Sequence, residues 1–177
     1  MGYGICICGL NGSGKTALAK AVAKELCCKH MDIEQYYFAP ADNTYSSPRT
    51  REVAEALLFD DIKQHPYFVF SAVNGNITEE ISSRYRLVVF LEAPLDVRMK
   101  RIRQRSVNMF GSRALPGGDM YESEELFFAQ AKRKTPEKIE AWLNTLNCSI
   151  IRLDGTKTIK ENTDIIKKHL QADNYYK

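Results

Sequence analysis

A chain of 177 residues with 44% hydrophobic side chains suits one domain, or one core with mobile insertions. Its formal charge of +3 and isoelectric point near 8.5 are too mildly basic to imply nucleic acid or an acidic membrane as partner. No apolar run approaches the roughly 20 residues of a membrane span, and the start lacks a basic segment followed by an apolar one, so a cytoplasmic chain is expected.

Tyr3 to Cys8 is a short apolar run suited to a buried strand, with Cys6 and Cys8 directed to one face and Ile5 and Ile7 to the other. The cysteines number five, none in a C-x-x-C pair, and they read as reduced thiols inside core elements. The strand runs into Gly9-Leu10-Asn11-Gly12-Ser13-Gly14-Lys15-Thr16, which fits G-x-x-x-x-G-K-[ST] at every fixed position. Such a loop wraps a polyphosphate in backbone N–H groups, Lys15 neutralises the β- and γ-phosphates, and the Thr16 hydroxyl ligates Mg²⁺. The expected nucleotide-binding set is Gly9, Asn11, Gly12, Ser13, Gly14, Lys15, Thr16 and Ala17, with ATP and Mg²⁺ as cofactors. Leu18, Val22 and Leu26 give the following segment, Thr16 to Leu26, helical spacing.

Asp32 to Phe38 reads as the second strand, bringing Asp32 and Glu34 to the carboxyl edge of the sheet, where ligands gather in open parallel folds. Asp32 is placed to hold Mg²⁺ through water or to cap a turn or helix, and Glu34 to orient or deprotonate an acceptor hydroxyl. Pro40 to Pro48 is a loop of turn formers. Arg49 and Arg51 follow it, guanidinium forks suited to a phosphate or carboxylate or else merely solvated, and a helix is predicted over Arg51 to Gln64. Tyr67 to Val73 reads as a buried strand whose end carries no acid, although a magnesium-supporting carboxylate is usual there. Asp32 supplies one, or Glu92 does, after the strand Leu87 to Leu91; Glu92 is placed either to face the phosphate loop or to cap the next helix.

That next helix carries Arg98, Lys100, Arg101, Arg103 and Arg105, more cations than a packed face accounts for, and two or three of them are expected to touch nucleotide. Asn108 to Asp119 reads as a long hinged connection containing Arg113, suited to a flap that expels water and stabilises transferred charge. Asp119, with Glu122 three residues on, has capping-box spacing for another helix, and Thr135-Pro136 opens a further one. Ser149 to Leu153 is the last strand, Asp154-Gly155-Thr156 its exit turn, and Thr158 to Gln171 the final helix, beyond which the chain is expected to fray from Ala172.

The order of elements, the phosphate loop and the Arg-rich helix with its flap resemble the P-loop small-molecule kinases, the superfamily of nucleoside monophosphate and shikimate kinases. Bacterial sequences labelled as AAA-family ATPases look similar too, although the acidic pair and larger module of true AAA machines are not seen. The resemblance implies an α/β, three-layer P-loop NTPase fold with a five-stranded parallel sheet in the order 2-3-1-4-5. It implies one kinase-like domain over residues 1–177, with an acceptor-binding region at about 34–65 and a lid at about 105–121. Asp32-x-Glu34 is similar to the D-x-D of shikimate and gluconate kinases, which would give Asp32 to the metal and Glu34 to the acceptor. Arg101, Arg105 and Arg113 look like the lid arginines of the family, and Asp154, Gly155 and Thr156 match in position the turn that borders the nucleotide base. The D-G-x-P-R stretch of adenylate-type kinases is missing.

The expected catalytic residues are therefore Lys15, Asp32, Glu34, Arg101, Arg105 and Arg113, the acceptor-binding residues Glu34, Arg49 and Arg51, and the metal ligands Thr16 and Asp32. The leading expectation is an enzyme moving the γ-phosphoryl group of MgATP to an unidentified small-molecule acceptor, working as a monomer or homodimer. A nucleotide switch or slow ATPase acting on a protein partner is the alternative; the absence of N-K-x-D and D-x-x-G argues against a GTPase.

Overall fold

The computed structural model describes residues 3–39 and 47–172; most of the expected Pro40–Pro48 loop and the chain end after Ala172 lie outside them. Five strands, β1 (Gly4–Cys8), β2 (Lys29–Asp32), β3 (Phe68–Ala72), β4 (Tyr85–Glu92) and β5 (Ser149–Asp154), pair in parallel in the order β2-β3-β1-β4-β5. The helices are α1 (Lys15–Glu25), α2 (Ile33–Tyr37), α3 (Arg51–Gln64), α4 (Glu79–Ser82), α5 (Leu95–Phe110), α6 (Tyr121–Arg133), α7 (Glu137–Leu143) and α8 (Ile159–Ala172), with a 3-10 turn over Gly111–Ala114.

Every position of β1 and β3 is buried, as central parallel strands covered on both faces require. Strand alternation sends Ile5 and Ile7 to a layer with Leu18 and Val22 of α1 and Ile166 and Leu170 of α8. Cys6 and Cys8 point the other way, into a layer with Phe70, Leu58 and Ile62 of α3 and Trp142 of α7. Leu58 is fully buried whereas Leu126 of α6 is 65% exposed. Leu58→Ala should therefore cost about 2–5 kcal/mol in denaturant unfolding and Leu126→Ala under about 0.5; equal losses would mean that this face is not the core.

Several boundaries differ from the sequence reading, each for a local reason. The expected strand Asp32–Phe38 ends at its first residue, because Asp32 stays extended and its Oδ1 accepts the Glu34 N–H at 3.1 Å, starting α2 instead. The short helix α4 was not anticipated; Thr78 caps it by accepting the Ile81 N–H at 3.2 Å. The basic helix runs on to Phe110, so the expected open connection from Asn108 is helical at its start and a 3-10 turn next. Met120 occupies the position before α6 without a side-chain cap, since the Asp119 carboxylate is taken by Arg113. Helix α6 returns antiparallel along α5, joined by the Arg103–Glu125 ion pair at 2.6 Å and by Ile102 against Phe128 and Ala131. That return brings the end of α6 back to where α5 begins, beside the phosphate loop.

Candidate active site

The site grows from the joint between β1 and α1. Gly12 (φ +83°) and Gly14 (φ +102°) hold left-handed conformations that curl the loop, and a Cβ on Gly12 would strike the Arg98 backbone. Gly14 stands at the N-cap of α1 with no side-chain bond, so the N–H groups at the head of the helix are left for an anion. Lys15 follows, 8% exposed. Burial lowers its ammonium pKa below the ordinary lysine value; the Glu34 and Asp32 carboxylates oppose that shift, and the charges of Arg105 and Lys134 add to it. These four groups are thus close enough for their charges to act on Lys15.

Asp32 is buried and uses both oxygens: Oδ2 accepts from the Thr16 hydroxyl at 2.9 Å while Oδ1 caps α2. It caps a helix and meets the loop at once. In the register of β2 with β3 it lies opposite Ser71, so the neighbouring strand brings a carboxylate to the region where the third strand has none. A hydroxyl beside a buried carboxylate is an all-oxygen donor set, which fits a hard cation such as Mg²⁺. Glu92, by contrast, lies 3.9 Å from Arg152 and caps nothing; Pro94 is the residue ahead of α5.

One strand position earlier on the same face, His30 Nε2 lies 3.1 Å from Ser71 Oγ. Burial lowers its pKa below 6.5, against an opposing pull from Asp32. The unfolded chain takes up this proton near pH 6.5 and the fold only at lower pH, so stability is lost as pH falls through that window. Stability measured between about pH 5 and 7 should therefore depend less on pH in His30→Gln than in the parent; identical slopes would remove His30 as the cause.

Three arginines of α5 fall on one helical face, at spacings of three and four. Arg98, 5% exposed, donates from Nη1 to the Asn11 carbonyl at 3.4 Å, and Arg101 donates to the Ser13 carbonyl at 3.1 Å. Arg105 is placed where its charge acts on Lys15. Arg103 leaves this group for Glu125 and the Phe128 ring, 4.4 Å from its centroid. Arg113 is not joined to the loop; its guanidinium forks onto Asp119 at 2.9 and 2.7 Å, with both side chains more than half exposed. Arg49 Nη1 donates to the carbonyls of Gln35, Tyr36 and Phe38 and so caps the end of α2, and Arg51 binds Glu55 and the Ile77 carbonyl.

The exit turn of β5 closes the other side. Asp154 Oδ1 accepts the Thr156 N–H at 2.8 Å and its hydroxyl at 2.7 Å, and the Gly155 N–H binds the Glu92 carbonyl at 2.6 Å. A Cβ on Gly155 would come within 2.7 Å of the Ser13 carbonyl, so this turn lies directly on the loop. Between them is a recess of about 250 Å³ walled by Gly14, Ala17, Leu91, Arg101, Gly155 and Ile159. Ser13 Oγ and Asn162 Oδ1, on two further residues of that wall, are buried without a hydrogen-bond partner among the described residues. A larger cavity, about 910 Å³, lies at the starts of β4 and β5 around Tyr85, Trp142 and Ser149, the opposite end of the sheet from the loop.

The expected residues of the loop, with Asp32, Glu34, Arg101, Arg105 and Gly155, are thus gathered at one place. Two cations absent from the expected site set join them. Arg98 shares the spacing of Arg101 and Arg105, a signal present in the sequence. Lys134 follows α6 and places Nζ 3.4 Å from Asn11 Oδ1; only the antiparallel return of α6 brings it there.

YqaC of Bacillus subtilis (strain 168), an uncharacterized protein, is 25% identical over 177 residues, covering 96% of this chain and 98% of its own. Among solved structures, shikimate kinase from Bacteroides thetaiotaomicron matches with a TM-score of 0.59 at 19% identity, over 97% of this chain and 99% of its own. Shikimate kinase from Aquifex aeolicus matches with a TM-score of 0.55 at 16% identity, over 98% and 99%. At such identities the likeness is one of fold, and the fold is that of the P-loop kinases. The family model AAA_18, described as an AAA domain, matches residues 5–126, which is more than half of the chain and takes in the phosphate loop, Asp32 and the basic helix; the chain belongs to that family.

Proposed function

We propose that this chain is a phosphotransferase that moves the γ-phosphoryl group of ATP to a hydroxyl of a small metabolite. One observation carries the reading: at the head of α1 a buried lysine lies within electrostatic reach of Glu34 and of Asp32, the carboxylate that accepts from the Thr16 hydroxyl. A protein that only held a nucleotide would have no need of a second carboxylate there.

In this reading the loop N–H groups and Lys15 hold the phosphates, and the recess beside Gly155 takes the base. Mg²⁺, held by Thr16 and through water by Asp32, would supply neutralisation of phosphate charge. Glu34 accepts the acceptor's hydroxyl proton as that oxygen forms its bond to the γ-phosphorus. The bond from phosphorus to the bridging oxygen breaks, and ADP leaves with the electron pair. Arg101 braces the loop through the Ser13 carbonyl while Arg105 adds positive charge beside Lys15. The lid is assigned to about 105–121, and Arg113 reaches the phosphates only by leaving Asp119. The acceptor region is assigned to about 34–65, where Arg49 and Arg51 would use N–H groups other than those now bound to carbonyls and to Glu55.

The test is product analysis with MgATP and pools of nucleosides, nucleotides, sugars and hydroxy acids. Acceptor-dependent ADP with an equal amount of phosphorylated product is expected. Release of ADP and free phosphate at one rate, whatever the pool, would overturn phosphoryl transfer in favour of a slow ATPase.

A further inference from the structure

Among the described residues, the arginines on the outer faces of this region are paired: Arg103 with Glu125, Arg113 with Asp119 and Arg152 with Glu140. Among the described residues Lys15, Arg105 and Lys134 form no ion pair; the charges of the latter two act on Lys15 against the opposite effect of Glu34 and Asp32. An anion entering beside Lys15 relieves the repulsion from Arg105 and Lys134.

Lys134 is the least committed of them. Its side chain is exposed, and its contact with Asn11 Oδ1, at 3.4 Å, is a long hydrogen bond to a neutral amide. A phosphate oxygen binds an ammonium at shorter distance and more strongly, so it displaces the amide. Asn11 is held on its other side by Arg98, which donates to its carbonyl, so the start of α5 and the end of α6 both meet the loop at this residue.

Position decides which phosphate is met. The recess for the base is walled by Arg101, Gly155 and Ile159, and neither Asn11 nor Lys134 lines it. Lys134 instead sits against Asn11 of the loop, and its charge acts on Lys15, the lysine placed at the β- and γ-phosphates.

We propose that Lys134 is a catalytic residue that holds the terminal phosphoryl group, leaving Asn11 for the γ-phosphate when a nucleoside triphosphate binds. This rests on the phosphotransferase reading above. It makes Lys134 a sensor of the third phosphate: a diphosphate leaves it on Asn11, and a triphosphate draws the end of α6 onto the nucleotide.

The test is calorimetric binding of MgADP and of the Mg²⁺ complex of β,γ-imido ATP, which requires no acceptor. Lys134→Met should weaken the triphosphate analogue about tenfold and change ADP affinity less than about twofold, as expected for one charged contact. Lys134→Arg should recover most of the loss, and Lys132→Met, on an exposed lysine in the last turn of α6, should change neither nucleotide. Since Lys134 is exposed, its replacement leaves the core intact. Equal losses for both nucleotides, or none for either, would overturn the proposal. Lys15→Ala is measured alongside: unchanged binding of both nucleotides there would overturn the reading of the loop itself and this proposal with it, whereas a loss there with an unaltered Lys134→Met overturns only the role of Lys134.

Discussion

Lys15→Ala should lower phosphoryl transfer by at least about a hundredfold while leaving the melting temperature undiminished. The two halves of this result come from the same feature. Lys15 is 8% exposed and carries a charge that burial opposes, an opposition that the Glu34 and Asp32 carboxylates offset only in part and to which Arg105 and Lys134 add. The fold therefore bears a cost to keep the ammonium there, and removing it takes away no apolar contact of the kind that holds α1 through Leu18, Ala19 and Val22. For a phosphoryl group in transfer, however, Lys15 is the fixed charge nearest the head of α1, already desolvated and needing no reorganisation. Turnover assays with the acceptor found by screening, together with thermal unfolding, read both halves. Normal turnover would remove the loop from the mechanism; a collapse in melting temperature with weak kinetic effect would make Lys15 a structural residue.

What could be read in advance follows the range over which each signal acts. The loop from Gly9 to Thr16 is contiguous and fits a phosphate-loop pattern at every fixed position, so the turn between β1 and α1 was legible before any fold was known. β1, α3 and β5 were legible because burial on two faces or on one writes a period into the sequence. Asp32 was placed correctly as a residue meeting the loop, yet its strand was drawn too long: Ile33, Tyr36 and Tyr37 favour strands by type, and the side-chain cap on Glu34 N–H overrides that preference locally. Arg113 illustrates the reverse case. Its setting among turn residues suggests freedom, but Asp119 lies six residues on and takes the guanidinium in a two-pronged pair. Lys134 carries no local mark at all, since its place beside Asn11 depends on Ile102, Phe128 and Ala131 packing α6 against α5.

The second large effect separates Asp32 from Glu34. Asp32→Asn keeps the shape of the side chain but replaces one acceptor oxygen by a donor, and both oxygens are in use, one by the Thr16 hydroxyl and one by the Glu34 N–H. An asparagine can keep its oxygen on the Glu34 N–H and donate from its amide nitrogen to the Thr16 hydroxyl, which accepts as well as donates, so stability should change by less than about 1 kcal/mol. The negative charge is lost, however, and half-maximal activity should then require more Mg²⁺, by roughly tenfold if one charge-assisted contact is lost. Glu34→Gln makes a different prediction. The bond that starts α2 comes from the Glu34 backbone, not from its carboxylate, so stability and ATP affinity should stay within error of the parent. What disappears is the base, and acceptor-dependent kcat should fall about a hundredfold or more, with the loss falling on the transition state and not on acceptor binding. Magnesium titration, denaturant unfolding and steady-state kinetics on the two variants distinguish the cases: equal losses that appear only in KM would show that neither carboxylate has the role given to it.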